Sequence, residues 1–502
     1  MWRALLTLAV LVGCSGGESP GSAASGPAGA SGAAGSSAGQ GGTAGSAGTG
    51  GATAGTGGQG GTAGSAGGAG GFSDADWALL RELAPETMPA PRNDVSNRFA
   101  DDAAAAALGE KLFFDAGFSG KLLDLDDDGS SRTLGLRGQS GRVACAGCHI
   151  AAAGFLDDRS PFKEISLATG WTARRTPSLL DVGQATIVMW GGRHSTLYAQ
   201  VFGALENPLE MNSSRLFFAQ WIAGHYRTEY EAVFGAATLA PLDDGARFPA
   251  LTPDTTGCRL TRAVDHPRAQ PPDPLYECHG FPGDGAEYDA LPPADQELIT
   301  RIVVNAGKAI AAYERLLVCG QGRFDAWVHG AADALTASEQ NGAKLFIGKA
   351  RCVSCHSGPY LSDQKFHNLG LEEQATRALV FNGNDHGAAA DLPKAAADPL
   401  GIDGAFSDGN DGRLPAALGP EYEGAFRTLP LRCVGKRPSF MHSGLLHTLE
   451  EVVAFFNRGG DAPGSYVGTG VLEPLGLSAE EQADLVAFLR ALDGNAPTPT
   501  FR

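Results

Sequence analysis

Val143-Ala144-Cys145-Ala146-Gly147-Cys148-His149-Ile150 is the stretch from which the rest of the chain is read. Cys145, Cys148 and His149 stand in the order CxxCH, the attachment signature of c-type haem. The spacing has a chemical reason. On a helical turn, cysteines three apart share a face, so both can take up the vinyl groups of one haem as thioethers. The next residue, His149, then lies under the ring and ligates the iron through an imidazole nitrogen. The pattern returns at Arg351-Cys352-Val353-Ser354-Cys355-His356-Ser357. One CxxCH could be coincidence or a fragment of a structural metal site. Two in a chain with only 9 Cys and 11 His point to a di-haem protein. Glu277-Cys278-His279 lacks the second cysteine and is not such a site.

Toward the N-terminus the composition changes sharply. Residues 1–14 are a short basic start and an apolar run too short to span a bilayer, as expected of a secretory signal. Its end, Leu11-Val12-Gly13-Cys14, has the form of a bacterial lipobox, which would make Cys14 the lipidated first residue of an exported, membrane-anchored protein; an ordinary cleaved signal is the alternative. Residues 15–71 are nearly all Gly, Ala, Ser and Thr, with nothing to bury, and read as a disordered linker. A flexible coil of ~57 residues reaches about 40 Å, which suits a tether. The remaining chain, about 430 residues, suffices for two domains with proper cores, taken as 72–330 and 331–502.

A net charge of −18 argues against nucleic acid as a partner. After Cys14 and the four CxxCH cysteines, Cys258, Cys278, Cys319 and Cys433 remain. An even remainder in an exported chain suggests two disulfides, Cys258–Cys278 and Cys319–Cys433 being the preferred pairing, although sequence leaves it open.

Apolar spacing predicts helices at Asp74–Met88, Ala103–Phe114, Ser195–Leu205, Ser213–Ile222, Pro293–Leu317, Thr336–Gly348, Thr448–Phe456 and Ser478–Leu492. Residues 251–290 and 380–425, rich in Gly and Asp, read as excursions. Period-two alternation is scarce, so the expected fold is mainly α, with long loops around two haems. Asp124 to Ser130 begins like an EF-hand loop, DxDxDG, but Gly135 stands where the bidentate Glu belongs. A solvated acidic turn is the preferred reading over weak calcium binding.

From about Leu108 to Leu492 the chain resembles the bacterial di-haem cytochrome c peroxidases and the related MauG-type enzymes. The resemblance rests on Leu112-Phe113-Phe114-Asp115, the first CxxCH, Arg175-Thr176-Pro177-Ser178-Leu179-Leu180 and Met189-Trp190-Gly191-Gly192-Arg193. It continues in Asn207-Pro208-Leu209-Glu210-Met211, the run from Cys352 to Asn368, and Phe440-Met441-His442-Ser443-Gly444 followed by Thr448-Leu449-Glu450-Glu451-Val452-Val453. The resemblance implies two cytochrome c-type domains, with hydrogen peroxide reduced at the first haem and electrons received at the second. It implies a small cytochrome c or cupredoxin as donor, and is compatible with a homodimer.

By the same resemblance Trp190 stands between the haems, while Glu210 and Gln200 match the family's distal glutamate and glutamine. A carboxylate can move a proton between peroxide oxygens, and an amide can orient peroxide but not shuttle a proton. Read alone, Glu210 would be a surface carboxylate. His367 and His442 match positions near the second haem; His194, His225, His266, His329, His386 and His447 read as ordinary polar residues.

Three departures stand out. No His lies between Ser166 and Trp171, where the peroxidases often carry a distal one, so the first iron is expected to be open. Arg175 and Arg437 stand at the family's calcium site and argue against that ion, because they would repel it. Phe456 replaces the Met or Tyr that ligates the second iron, leaving Met441 or His442 as a substitute ligand, or an apolar lid with no strong sixth ligand. Three functions follow: a di-haem peroxidase first, a MauG-type oxidase of a protein partner second, and a non-catalytic electron-transfer or redox-sensing lipoprotein third.

Overall fold

The computed structural model describes residues 71–160, 164–251, 286–372 and 384–500. The expected leader, Cys14, most of the linker, and the pair Cys258 and Cys278 lie outside the described residues. Among the described residues the protein is mainly helical, and its only sheet is β1, Phe366–His367, antiparallel to β2, Phe426–Arg427. No described helix is long and apolar enough to cross a membrane.

The longer helices are α1 (Asp74–Leu83), α2 (Ala103–Phe114), α3 (Leu197–Glu206), α4 (Arg215–His225), α5 (Arg227–Phe234), α6 (Pro293–Glu314), α7 (Ala337–Ile347), α8 (Ala388–Ala397), α9 (Leu449–Arg458) and α10 (Ala479–Ala491). Side-chain caps start most of them. Thr196, Ser214, Thr336, Thr448 and Ser478 each accept an amide of the first turn, and the last three form full capping boxes with Glu339, Glu451 and Glu481. The helix expected at Asp74–Met88 stops at Leu83, because Pro85 disfavours helical geometry at Ala84. Two of these longer helices were not expected. The first is α5; the second is α8, inside the 380–425 excursion, whose internal Pro393 masks a helical pattern.

Two apolar cores organise these helices. In the first, α2 crosses α6 so closely that a Cβ on Gly109 would lie 1.9 Å from the Ala309 carbonyl oxygen. Leu112, Phe113, Tyr198, Phe202, Phe218, Ile302 and Ile310 fill the space around that crossing. The second core repeats the device: α7 meets α10 at Gly342, whose Cβ would lie 2.0 Å from the Asp484 carbonyl oxygen. Phe324, Phe346, Phe488 and Leu489 pack there, joined by Phe72, Leu80 and Leu83 from around α1 at the other end of the described chain.

Covalent and ionic ties cross between distant segments. Cys319 and Cys433 form a disulfide over a separation of 114 residues, closing a loop whose restraint on the unfolded chain is worth ~5 kcal/mol in the chain-entropy model. Beside it, the fully buried Arg432 meets Asp325 through two parallel hydrogen bonds, both 2.9 Å, and also reaches the Leu83 and Pro359 carbonyls.

Candidate haem sites

The first CxxCH forms a single helical turn, Cys145–Cys148, with the His149 amide returning to the Cys145 carbonyl at 2.8 Å. The turn fixes both thiols and the imidazole on one small piece of backbone. His149 Nδ1 lies 3.1 Å from the Phe155 carbonyl oxygen. A carbonyl can only accept, so Nδ1 carries the proton and Nε2 keeps its lone pair for a metal. Burial also lowers the imidazole's pKa, which holds it neutral as ligation requires.

The cavity above this turn has a volume of ≈450 Å³ and is lined by His149, Trp190, Gln200, Glu210 and Glu314, among others. Gln200 projects from α3, and Glu210 comes from the turn that follows it. Glu210 Oε1 accepts from Asn207 Nδ2 at 2.8 Å and from Arg193 Nη2 at 3.0 Å. Asn207 is itself set by the Leu209 amide, and the Glu210 carbonyl by the Thr169 amide. Trp190 and Arg193 share a hairpin bridged from Val188 to His194, with positive φ at Met189 and Gly192. The Trp190 indole donates to the Arg175 carbonyl at 2.6 Å.

The second CxxCH repeats the arrangement. The His356 amide bonds the Cys352 carbonyl at 2.9 Å, and His356 Nδ1 meets the Leu361 carbonyl at 2.8 Å. Burial lowers this imidazole to about 4. Its cavity, ≈490 Å³, is lined by His367, Met441, His442, Phe456 and Tyr466, among others. Met441 sits in the turn before Gly444 at φ +70° and packs with the cluster around Leu446 and Phe455. His442 stacks on Phe426 at 3.5 Å between ring centroids and presents an edge to Trp190 at 6.5 Å. Among the described residues, Cys355, Asp363 and His367 are the only trio of metal-ligand types lying close together. They do not make a separate metal site, because Cys355 belongs to the attachment signature. Instead His367 Nε2 pairs with Asp363 at 2.8 Å, which raises it to about 10, with the Cys355 thiol adding to the effect.

Whether haem suits these cavities can be tested on the groups it would meet. Cys145, Cys148, Cys352 and Cys355 are free thiols, and the disulfide takes none of them. Buried guanidiniums face the same spaces. Arg175 is 1% exposed with Nε unpartnered; Arg427 and Arg437 are lowered to about 10 by burial, and the Arg437 Nε is also unpartnered. A buried cation without a carboxylate is costly, and the propionates of a haem are anions of the right kind. The residues present fit the group.

Other expected positions are accounted for by ordinary contacts. His194 pairs with Asp398 at 3.2 Å and does not line the first cavity. His225 stacks on Trp221 and His329 bonds the Ala84 carbonyl, whereas His386 stands at the cavity's edge beside Glu423. In the DxDxDG loop, Asp126 accepts from the Trp171 indole, Asp128 from the Ser130 amide and Asp124 from the Asp126 amide. Ile165, Leu167 and Trp171, in the stretch without a histidine, form their own buried cluster. Sequence reading missed Arg193, Glu314, Arg427 and Tyr466 as cavity residues. Arg193 closes the Met189–Arg193 motif, and its charge beside Trp190 is the signal that marks it.

The model of the family described as di-haem cytochrome c peroxidase matches residues 103–256. The chain is 29% identical over 442 residues to cytochrome-c peroxidase IdrP1 of Denitromonas iodatirespirans, covering 84% of this chain and 89% of that one. The chain is similar along most of its length to the di-haem cytochrome c peroxidases and MauG proteins. It is also 27% identical over 409 residues to methylamine utilization protein MauG of Methylorubrum extorquens, covering 81% and 82% of the two chains. The diheme peroxidase BthA of Burkholderia thailandensis, 21% identical, shares the fold with a TM-score of 0.52, over 84% of this chain and 96% of that one. Members of the di-haem peroxidase family carry two covalently bound c-type haems, and this chain has two CxxCH segments, each under its own cavity.

Proposed function

We propose that the protein reduces hydrogen peroxide to water in the first cavity, with electrons entering at the second from a small cytochrome c or cupredoxin. One observation carries the reading: Gln200 and Glu210 line the same cavity as His149, while Trp190 lines both cavities. When bound, the haems supply the redox chemistry and the electron store. The chain's own residues handle the rest. The Gln200 amide orients peroxide by hydrogen bonding. Glu210 Oε2, its other oxygen being held by Asn207 and Arg193, takes a proton from one peroxide oxygen and returns it to the other as the O–O bond breaks. Two electrons and two protons per peroxide complete two waters. His149 and His356 hold the irons, and Met441 lines the second cavity from its own apolar turn. On this reading the protein is exported and lipid-anchored at Cys14, and its two cytochrome c-type domains meet at Trp190.

Glu210→Gln keeps shape and hydrogen bonding but removes the base. Peroxide turnover with a reduced small cytochrome c is expected to fall by roughly 10²-fold while intact mass still shows two haems. Wild-type turnover in that variant would show that Glu210 is not the base.

A second reading has support from the wall between the cavities. The T-shaped contact of Trp190 with His442, stacked in turn on Phe426, is an aromatic path that suits oxidation of a protein partner, as does the likeness to MauG. Radical transfer to a co-purified partner would favour it.

A further inference from the structure

Glu210 is not held by its own backbone turn alone. The hairpin that carries Trp190 sends Arg193 into the first cavity, where Nη2 donates to Glu210 Oε1 at 3.0 Å. Glu210 is the one acceptor Arg193 has among the described residues, and its Nε is buried with no partner. The cation is therefore committed to this carboxylate. Asn207 Nδ2 reaches the same oxygen at 2.8 Å, so both donors hold Oε1 and neither takes Oε2.

We propose that Arg193 is the positioning residue of this site, holding the Glu210 carboxylate in one orientation with a positive charge beside it. The inference rests on the reading of Glu210 as the base. A base must be deprotonated before substrate arrives, and a guanidinium in contact favours the charged form of a carboxylate. Asn207 has no charge and can supply orientation only.

The other charged groups around the cavity do not take over this role. Arg174 is bound by Asp385 and Asp391, and Lys394 also by Asp391. Arg175 and Arg427 bond backbone carbonyls and Gln364. Glu314 is raised to about 8 by burial, and His149 is held neutral by burial too, so neither adds charge at neutral pH. His386 is paired with Glu423 at the rim.

The test is the pH dependence of kcat/KM for peroxide in Arg193→Gln, Arg193→Lys and Asn207→Ala, each with two haems by intact mass. With the positive neighbour gone, the acid limb in Arg193→Gln should move to higher pH. Arg193→Lys keeps the charge and needs only one N–H, so its limb should stay in place. Asn207→Ala should lower the plateau without moving the limb. Cyanide association with the ferric protein is a second readout, because hydrogen cyanide must lose its proton to bind as the anion. Its rate should show the same shifted limb in Arg193→Gln. Arg193→Met replaces Arg193→Gln if the latter fails to load two haems. An unmoved limb in the neutral variant, or a limb that moves equally in Arg193→Lys, would overturn the inference. If Glu210→Gln itself is silent, the reading beneath fails instead.

Discussion

The backbone carbonyl of Trp190 accepts the amide of Arg427 at 2.8 Å, and both residues line both cavities. The bond joins the hairpin 188–194 to β2 through main-chain atoms, so the wall between the cavities does not depend on the indole. Trp190→Leu should therefore leave both haem spectra nearly unchanged while slowing electron passage from the second haem to the oxidised first. Rapid mixing of half-reduced protein with peroxide measures that passage. An unchanged rate would assign the indole to packing.

At the second iron, Phe456 lines the cavity and offers no lone pair, and Met441 packs in the apolar cluster of its own turn. Met441→Leu is expected to leave the second haem's spin state unaltered. Phe456→Met should make that haem low-spin with a methionine–iron charge-transfer band, and raise its potential. A charge-transfer band already present in the wild type and lost in Met441→Leu would make Met441 the ligand.

Arg432 is 0% exposed, and Asp325 is the carboxylate that compensates its charge. Removing one partner of such a pair leaves an uncompensated buried ion. Asp325→Ala should cost ~3–5 kcal/mol in urea unfolding. A change below 1 kcal/mol, about the value of an exposed pair, would mean that water reaches the site.

Glu314, on the last turn of α6, is 3% exposed with Oε2 unpartnered, and burial raises it to about 8. The sign follows from proton binding. Between an ordinary glutamate value near 4.5 and about 8, the folded state holds a proton that the unfolded state has lost. Stability should therefore fall as pH rises through that window, by on the order of 4 kcal/mol from this group. In Glu314→Gln the slope of unfolding free energy against pH should flatten between pH 5 and 8. An equal slope in the variant would show that Glu314 is solvated.

Helix positions were legible where caps and apolar spacing agree, as in α7 and α10, each opened by a capping box. They were illegible where composition conflicts with structure, as in α8 with its internal proline. The packing of Phe72, Leu80 and Leu83 with Phe346 and Phe488 depends on contacts across most of the chain, which no local pattern encodes.

By itself the sequence determined the chemistry that local spacing controls. Two CxxCH segments commit two pairs of thiols and two imidazoles, because thioether attachment needs only one turn of backbone. The order of motifs named Trp190, Gln200 and Glu210 without saying what surrounds them. Only the tertiary structure decided that Arg193 meets Glu210, that Trp190 and Arg427 share the wall between two cavities, and that Glu314 Oε2 is buried without a partner among the described residues. Those are relations of burial and charge between distant segments, and such energies exist only once the chain has closed around them.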